Sequence, residues 1–201
     1  MAEGTGRGVR SKVEAVKTLL HVGCGAARLE NLPEYFHQGW AEIRLDIDPG
    51  VRPDIVADIA NIEMVESESV DAVLSAHNLE HLYPHQVGPA LAGFYRVLRP
   101  GGHLFLTLPD IQAVAAEVAK GRLEDPLFNS DMGPICAIDI LYGHRASLEM
   151  GRGNMAHKTG FTAKSLTTKL VTAGFEVLRM ESDGRYALWA TAQKGAFCVP
   201  S

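Results

Sequence analysis

Residues 77–85 read HNLEHLYPH, with His77, His81 and His85 at four-residue intervals and Glu80 directly before the second histidine. Imidazole and carboxylate side chains bind transition metals and move protons near neutral pH. His77 to His81 has the H-x-x-E-H spacing, which on a helix turns two imidazoles and a carboxylate to one face and builds a catalytic zinc site. Such a site needs a stable helix and a third ligand from elsewhere. Here the stretch follows directly on the apolar run SVDAVLSA, and Pro84 comes three residues after His81. Proline is tolerated in the first turn of a helix, so the next helix starts best at Pro84 and carries His85 away from His77. We therefore expect His77 at the end of a strand, Glu80 and His81 in a short connecting turn, and no metal. A zinc-dependent hydrolase using residues 77–81 stays open as the alternative.

A second constellation lies upstream. LLHVGCGAARL places Gly23 and Gly25 just after an apolar run, where glycine lets the backbone approach a ligand closely. Asp46 follows 21 residues after Gly25, at the end of AEIRLDI. In a doubly wound sheet that position carries a carboxylate for ribose hydroxyls. Asp58 closes the next run, PDIVADI, so three strand ends put a glycine turn and two carboxylates on one rim. The dinucleotide fingerprint G-x-G-x-x-G would need a glycine where this chain has Arg28. A ligand with ribose and adenine but no phosphate fits the pattern better.

Further polar-aromatic groups sit in YGHR and AHKTGF: Tyr142, His144, Arg145 and His157. They belong to a glycine-punctuated stretch, 122–159, that suits a lid or substrate wall beside a strand end. Arg145, Arg152 and Lys158 either receive an anion or form a solvated loop. His21, His37, His85 and His103 read as structural or surface residues. Tyr35 and Trp40 either cap a ligand or pack beneath the glycine turn.

The elements that must position these groups alternate. Five strands are expected, in TLLHVG, AEIRLDI, PDIVADI, SVDAVLSA and HLFLTLP. VGPALAGFYRVL is an amphipathic helix ended by RPGG. IQAVAAEVAKG and PICAIDILYG are further helices. TAKSLTTKLVTAGF is the last, with Thr162 as N-cap, Leu166, Leu170 and Val171 as its apolar stripe, and Gly174 as its stop. FEVLRME and RYALWATAQ, separated by SDG, form a terminal hairpin. The pattern predicts a parallel sheet with helices on both faces and an antiparallel last strand. The 201 residues suit one domain, 1–201, with a loose tail over 1–12. Net charge is −5 and no basic stripe occurs, which disfavours a nucleic-acid partner. No apolar run approaches the roughly 18 residues that span a membrane. Three scattered cysteines fit no disulfide framework, and we expect a cytoplasmic protein.

LLHVGCGAARL, IRLDIDP, PDIVADI, SVDAVLSAHNLEHL and FYRVLRPGGHLFLTLPD occur in the order and spacing of class I S-adenosylmethionine-dependent methyltransferases. The chain most resembles the small bacterial "type 11" branch, and HKTGFTAKSLTTKLVTAGFEV is similar to that group's terminal helix and strand. The resemblance spans roughly residues 18–192. It implies a Rossmann-like, seven-stranded sheet of order 3-2-1-4-5-7-6 with strand 7 antiparallel, and S-adenosylmethionine as methyl donor, leaving as S-adenosylhomocysteine. It further implies that Gly23, Cys24 and Gly25 lie against the methionine moiety and ribose, and that Asp46 binds the ribose hydroxyls. Ile47 and Ile59 would flank the adenine, Asp58 would accept from its amino group, and Ala76 and His77 would line the border with the acceptor. His77, Tyr142, His144 and His157 are the candidates for catalysis. Two departures stand out: His21 replaces an acidic residue, and Ala27 replaces a third glycine. The acceptor is expected to be a small molecule, with no nucleic-acid or membrane partner and a monomeric or homodimeric state. A non-catalytic S-adenosylmethionine-binding module is the remaining alternative.

Overall fold

The computed structural model describes residues 15–130 and 132–196. The tail expected over 1–12 lies outside the described residues. In chain order the elements are β1 (Lys17–Val22), β2 (Trp40–Asp46), β3 (Ile55–Val56), β4 (Val70–Ala76), α1 (Pro84–Val97), β5 (Leu98–Pro109), α2 (Ile111–Ala119), β6 (Pro126–Ser130), β7 (Gly133–Cys136), α3 (Ala137–Tyr142), α4 (Arg145–Glu149), α5 (Ala163–Thr172), β8 (Phe175–Ser182) and β9 (Ala187–Lys194). The main sheet runs β3-β2-β1-β4-β5-β9-β8. β1 to β5 pair in parallel, while β9 runs antiparallel to both β5 and β8. Counted within this sheet, β8 and β9 are strands six and seven, so the order is the expected 3-2-1-4-5-7-6.

Side chains alternate across the strands and divide the interior in two. Leu20, Val22, Val73, Leu104, Leu106 and Leu108 pack with Val87, Leu91, Phe94 and Val97 of α1 and Leu166 and Leu170 of α5. α1 begins at Pro84, as its proline predicts. Thr162 caps α5, accepting the Ser165 N–H at 3.2 Å, and Gly174 ends it at φ +98°. Val171, expected in the α5 stripe, is instead 58% exposed. One residue past Leu170 it is rotated about 100° around the helix, off the buried face.

Leu19, Ala72 and Leu74 face the other side. Helices were expected there too, yet among the described residues none contributes to that cluster. Leu29 and Phe36 from two single 3₁₀ turns, Leu29–Asn31 and Glu34–Phe36, pack with it, together with Leu32 between the turns and Trp40 at the start of β2. Pro33 and Gly39 (φ +76°) punctuate this connection and leave no room for a regular helix.

Two expected elements change. Only two residues of PDIVADI form a strand, because Pro53 has no N–H for the ladder and Asp58 turns the chain by accepting the Ala60 N–H at 2.8 Å. Asp58 thus lies two residues beyond β3. PICAIDILYG is a strand and then a helix: β7 pairs with β6, and α3 starts after Cys136, whose N–H donates to Asp139 Oδ2 at 2.9 Å. No helix among the described residues is long and apolar enough to cross a membrane.

Phe94 is fully buried where α1 meets the sheet. Phe94→Ala is expected to cost about 3–5 kcal/mol. Urea unfolding should show this as a lower midpoint with an unchanged slope.

Candidate functional site

Backbone groups at the carboxyl ends of parallel strands lose their ladder partners and need others. Here the ends of β1, β2 and β4 supply them to one another. Gly23 and Gly25 both lie in the left-handed region, at φ +59° and +52°. Cys24 N–H donates to Leu45 O at 3.1 Å, and Gly25 N–H donates to Asp46 Oδ2 at 2.8 Å. The other carboxylate oxygen of Asp46 accepts the Asp48 N–H at 2.9 Å. The space where a side chain of Gly25 would stand is open, whereas a Cβ on Gly23 would lie 1.8 Å from Asn78 Oδ1. Asn78 is there because its amide donates to Val22 O at 3.0 Å and Ala76 O at 2.9 Å, tying the end of β1 to that of β4.

Sequence reasoning did not foresee this tying role of Asn78, and it passed over Arg44, which is buried in β2. Its guanidinium donates to the carbonyls of Gly25, Ala27 (3.2 Å), Arg52 (2.8 Å) and Val51 (3.4 Å). It thereby fixes the glycine loop and the turn after β2 together. An arginine at an inward position of the apolar run IRLDI was the available signal.

The predicted adenine-side residues divide. Ile47 is 55% exposed and leaves an apolar face at the rim. Asp58 is partly buried and caps the turn that follows it. Ile59, expected to flank the adenine, packs its side chain into the main core. Cys24 is buried, which pushes its thiol pKa up. His21, in the position of the departed acidic residue, pairs through Nδ1 with Glu42 Oε1 at 2.8 Å. Burial lowers its pKa despite that carboxylate.

The second group gathers around the turn after β4. His77 takes φ +53°, uncommon for a non-glycine residue, and its N–H donates to Thr107 O at 2.8 Å. Residues Leu79–His81 form one 3₁₀ turn, so H-x-x-E-H does not lie on a helix. His85 sits on α1, stacked on Tyr83. His157 is brought to His81, with ring centroids 4.9 Å apart, and its N–H donates to Tyr142 O at 3.1 Å. Burial lowers the His157 pKa, partly offset by its bond to Ile140 O and by Glu80. Tyr142 is 64% exposed, and His144 is occupied with Ser147 Oγ at 3.0 Å.

Arg145 is not a free anion receptor: its guanidinium forks onto Asp139, at 2.7 and 3.2 Å. Burial works to raise the Asp139 carboxyl pKa, but this fork and the Cys136 and Arg145 N–H groups outweigh it and hold it low. Lys158 lies over the Tyr83 ring at 5.0 Å. Tyr35 and Trp40 pack with Phe36 and Phe105 on the second sheet face, not over the rim.

Residues 20–106 match the methyltransferase domain family. No curated protein matches the sequence. An S-adenosylmethionine-dependent methyltransferase structure from Methanosarcina mazei has a TM-score of 0.62 at 16% identity, over 92% of this chain and 95% of that one. One from Mesorhizobium loti has a TM-score of 0.59 at 16% identity, over 89% and 91%. The Burkholderia thailandensis 1,6-didemethyltoxoflavin-N1-methyltransferase, with bound 1,6-didemethyltoxoflavin and S-adenosylhomocysteine, has a TM-score of 0.58 at 18% identity, over 90% and 72%. At these identities the structural likeness establishes the fold.

Two expectations follow from the rim. Gly23→Ala must displace Asn78 and hold alanine at positive φ, at a cost of about 1–3 kcal/mol. Thermal unfolding should show a smaller loss when the same change is made in an Asn78→Ala background. A buried histidine with a lowered pKa binds fewer protons folded than unfolded, so stability declines as pH falls through the unfolded value of about 6.5. His21→Gln should shrink the drop in melting temperature between pH 7.5 and 5.5.

Proposed function

We propose that this chain, whose residues 20–106 match the methyltransferase domain family and whose seven-stranded sheet is complete, is a class I enzyme that transfers the methyl group of S-adenosylmethionine to a small-molecule acceptor. The observation that carries this reading is the rim, where a backbone cradle open at Gly25 faces a carboxylate, Asp46, held by two N–H groups. Each carboxylate oxygen has two lone pairs, so one on each remains for a ribose hydroxyl. Ile47 offers an apolar face to an adenine, Asp58 an acceptor for its amino group, and Ile59 only its backbone. Gly23, Cys24 and Gly25 bring main chain, not side chain, to the methionine moiety.

When bound, S-adenosylmethionine supplies a methyl carbon on a positively charged sulfur, a good leaving group. The chain must then mainly orient the acceptor in line with the carbon–sulfur bond. Ala76 and His77 stand where the acceptor border is expected. His77, whose side chain is 55% exposed, takes the acceptor proton if a hydroxyl or ammonium reacts. The stretch 122–159 forms the acceptor wall, with Tyr142, His144 and His157 as its polar groups. A small acceptor agrees with the chain's acidic balance and with the small molecule bound by the Burkholderia relative. We place the enzyme in the cytoplasm, as a single domain acting alone or as a homodimer.

Calorimetry with S-adenosylhomocysteine tests the reading. The intact protein should bind it, and Asp46→Asn should weaken binding at least tenfold, about 1.4 kcal/mol. Absence of binding by the intact protein would remove the proposal. Cofactor binding without transfer to any acceptor would favour a non-catalytic module.

A further inference from the structure

We propose that Glu80, His81 and His157 form a binding site for one divalent transition-metal ion of the zinc class. One donor atom from each lies within 4.8 Å of the other two. This set differs from the H-x-x-E-H reading, which pairs His81 with His77, and it departs from the sequence-based expectation of no metal.

The hydrogen bonds of the two imidazoles settle which nitrogen each presents. His81 Nδ1 contacts Ala156 O at 3.1 Å, and His157 Nδ1 contacts Ile140 O at 2.7 Å. A carbonyl can only accept, so each Nδ1 donates, and in the neutral ring Nε2 is the nitrogen that keeps a lone pair. A backbone carbonyl on one ring nitrogen, with the other left bare, is the outer arrangement that orients metal-binding histidines.

Glu80 supplies an independent observation. It is 1% exposed, and neither carboxylate oxygen has a hydrogen-bond partner among the described residues. Its nearest basic nitrogen is His77 Nδ1, 3.3 Å from Oε1 but without hydrogen-bond geometry. A buried carboxylate without a partner is strongly unfavourable, and a cation between it and two bare imidazole nitrogens removes the deficit.

The backbone already holds the three residues together. Lys158 and Thr159 N–H both donate to Glu80 O, at 2.8 and 3.2 Å. Gly143, at φ +101°, lets the chain pass so close to Met155 that a Cβ would lie 2.3 Å from its carbonyl oxygen. Two imidazoles and one carboxylate, with coordination positions to spare, suit Zn²⁺, Fe²⁺ and their neighbours rather than Mg²⁺ or Ca²⁺. Donors about 2.1 Å from a tetrahedral ion lie roughly 3.4 Å apart, so binding shortens the separations between these donors by up to about 1.4 Å.

The test uses the full chain, treated with chelator and dialysed. Co²⁺ should give visible absorption that saturates at one equivalent and is abolished by Zn²⁺, and Zn²⁺ alone should raise the melting temperature. His157→Ala, His81→Ala and the isosteric Glu80→Gln should each weaken Zn²⁺ binding at least tenfold, whereas His85→Ala should not. Circular dichroism identifies any variant that fails to fold, and Glu80→Gln then carries the comparison. No cobalt band and no zinc-dependent stabilisation in the unaltered chain would overturn the site. So would binding by folded Glu80→Gln as tight as that of the unaltered chain. S-adenosylhomocysteine calorimetry on the metal-free protein is read separately, so the metal site and the methyltransferase reading fail independently.

Discussion

The rim depends on a cross-tie between strand ends: the Asn78 amide bridging Val22 O and Ala76 O beneath Gly23. β1 and β4 are neighbours in the sheet but far apart in sequence, and past Val22 the ladder between them stops. The amide replaces the missing rungs with two donors on one rigid plane. It occupies the volume a side chain at position 23 would need, so glycine is required there for space as well as for its positive φ. Asp46 and Arg44 complete the tie from β2, one accepting N–H groups and the other donating to carbonyls of the same loop. The loop is thus shaped by side chains from β2 and from the turn after β4, before any ligand is considered.

Arg44 shows why this scaffold tolerates a buried charge. Among the described residues no carboxylate pairs with it; four carbonyls from the glycine loop and the turn after β2 share its protons. A planar guanidinium can reach both segments at once, which a lysine ammonium cannot do with the same geometry. The neighbouring pair, His21 with Glu42, places a carboxylate near the end of β1 although the sequence has a histidine where an acidic residue was expected. The departure in sequence is partly restored in space by the adjacent strand.

Features governed by local rules were legible. Pro84 and Thr162 start helices, Gly174 ends one, and period-two apolar runs become strands in the expected order. What was not legible depended on distant neighbours. Val171 fits an apolar pattern by type, yet its angle around α5 leaves it in solvent. Ile59, which the family resemblance implies at the adenine, has its side chain in the core cluster. Arg145 looked free because its partner, Asp139, lies on the preceding helix turn across a glycine bend. The pairing of His81 with His157 joins residues 76 positions apart and has no signal in spacing.

Glu80 extends the same logic from the rim to the insertion. Its carbonyl accepts the N–H groups of Lys158 and Thr159, so the turn that positions His77 also anchors the stretch carrying His157. Main chain and side chain of one residue therefore serve different ends: the carbonyl fixes where the insertion lies, and the buried carboxylate has an oxygen within 4.8 Å of a nitrogen of each of two imidazoles held by their own carbonyls. A purely structural turn would satisfy that carboxylate with backbone N–H groups, as Asp139 is satisfied by Cys136 and Arg145. On that contrast, between one buried acid satisfied by the backbone and one without a hydrogen-bond partner among the described residues, the proposed metal site rests.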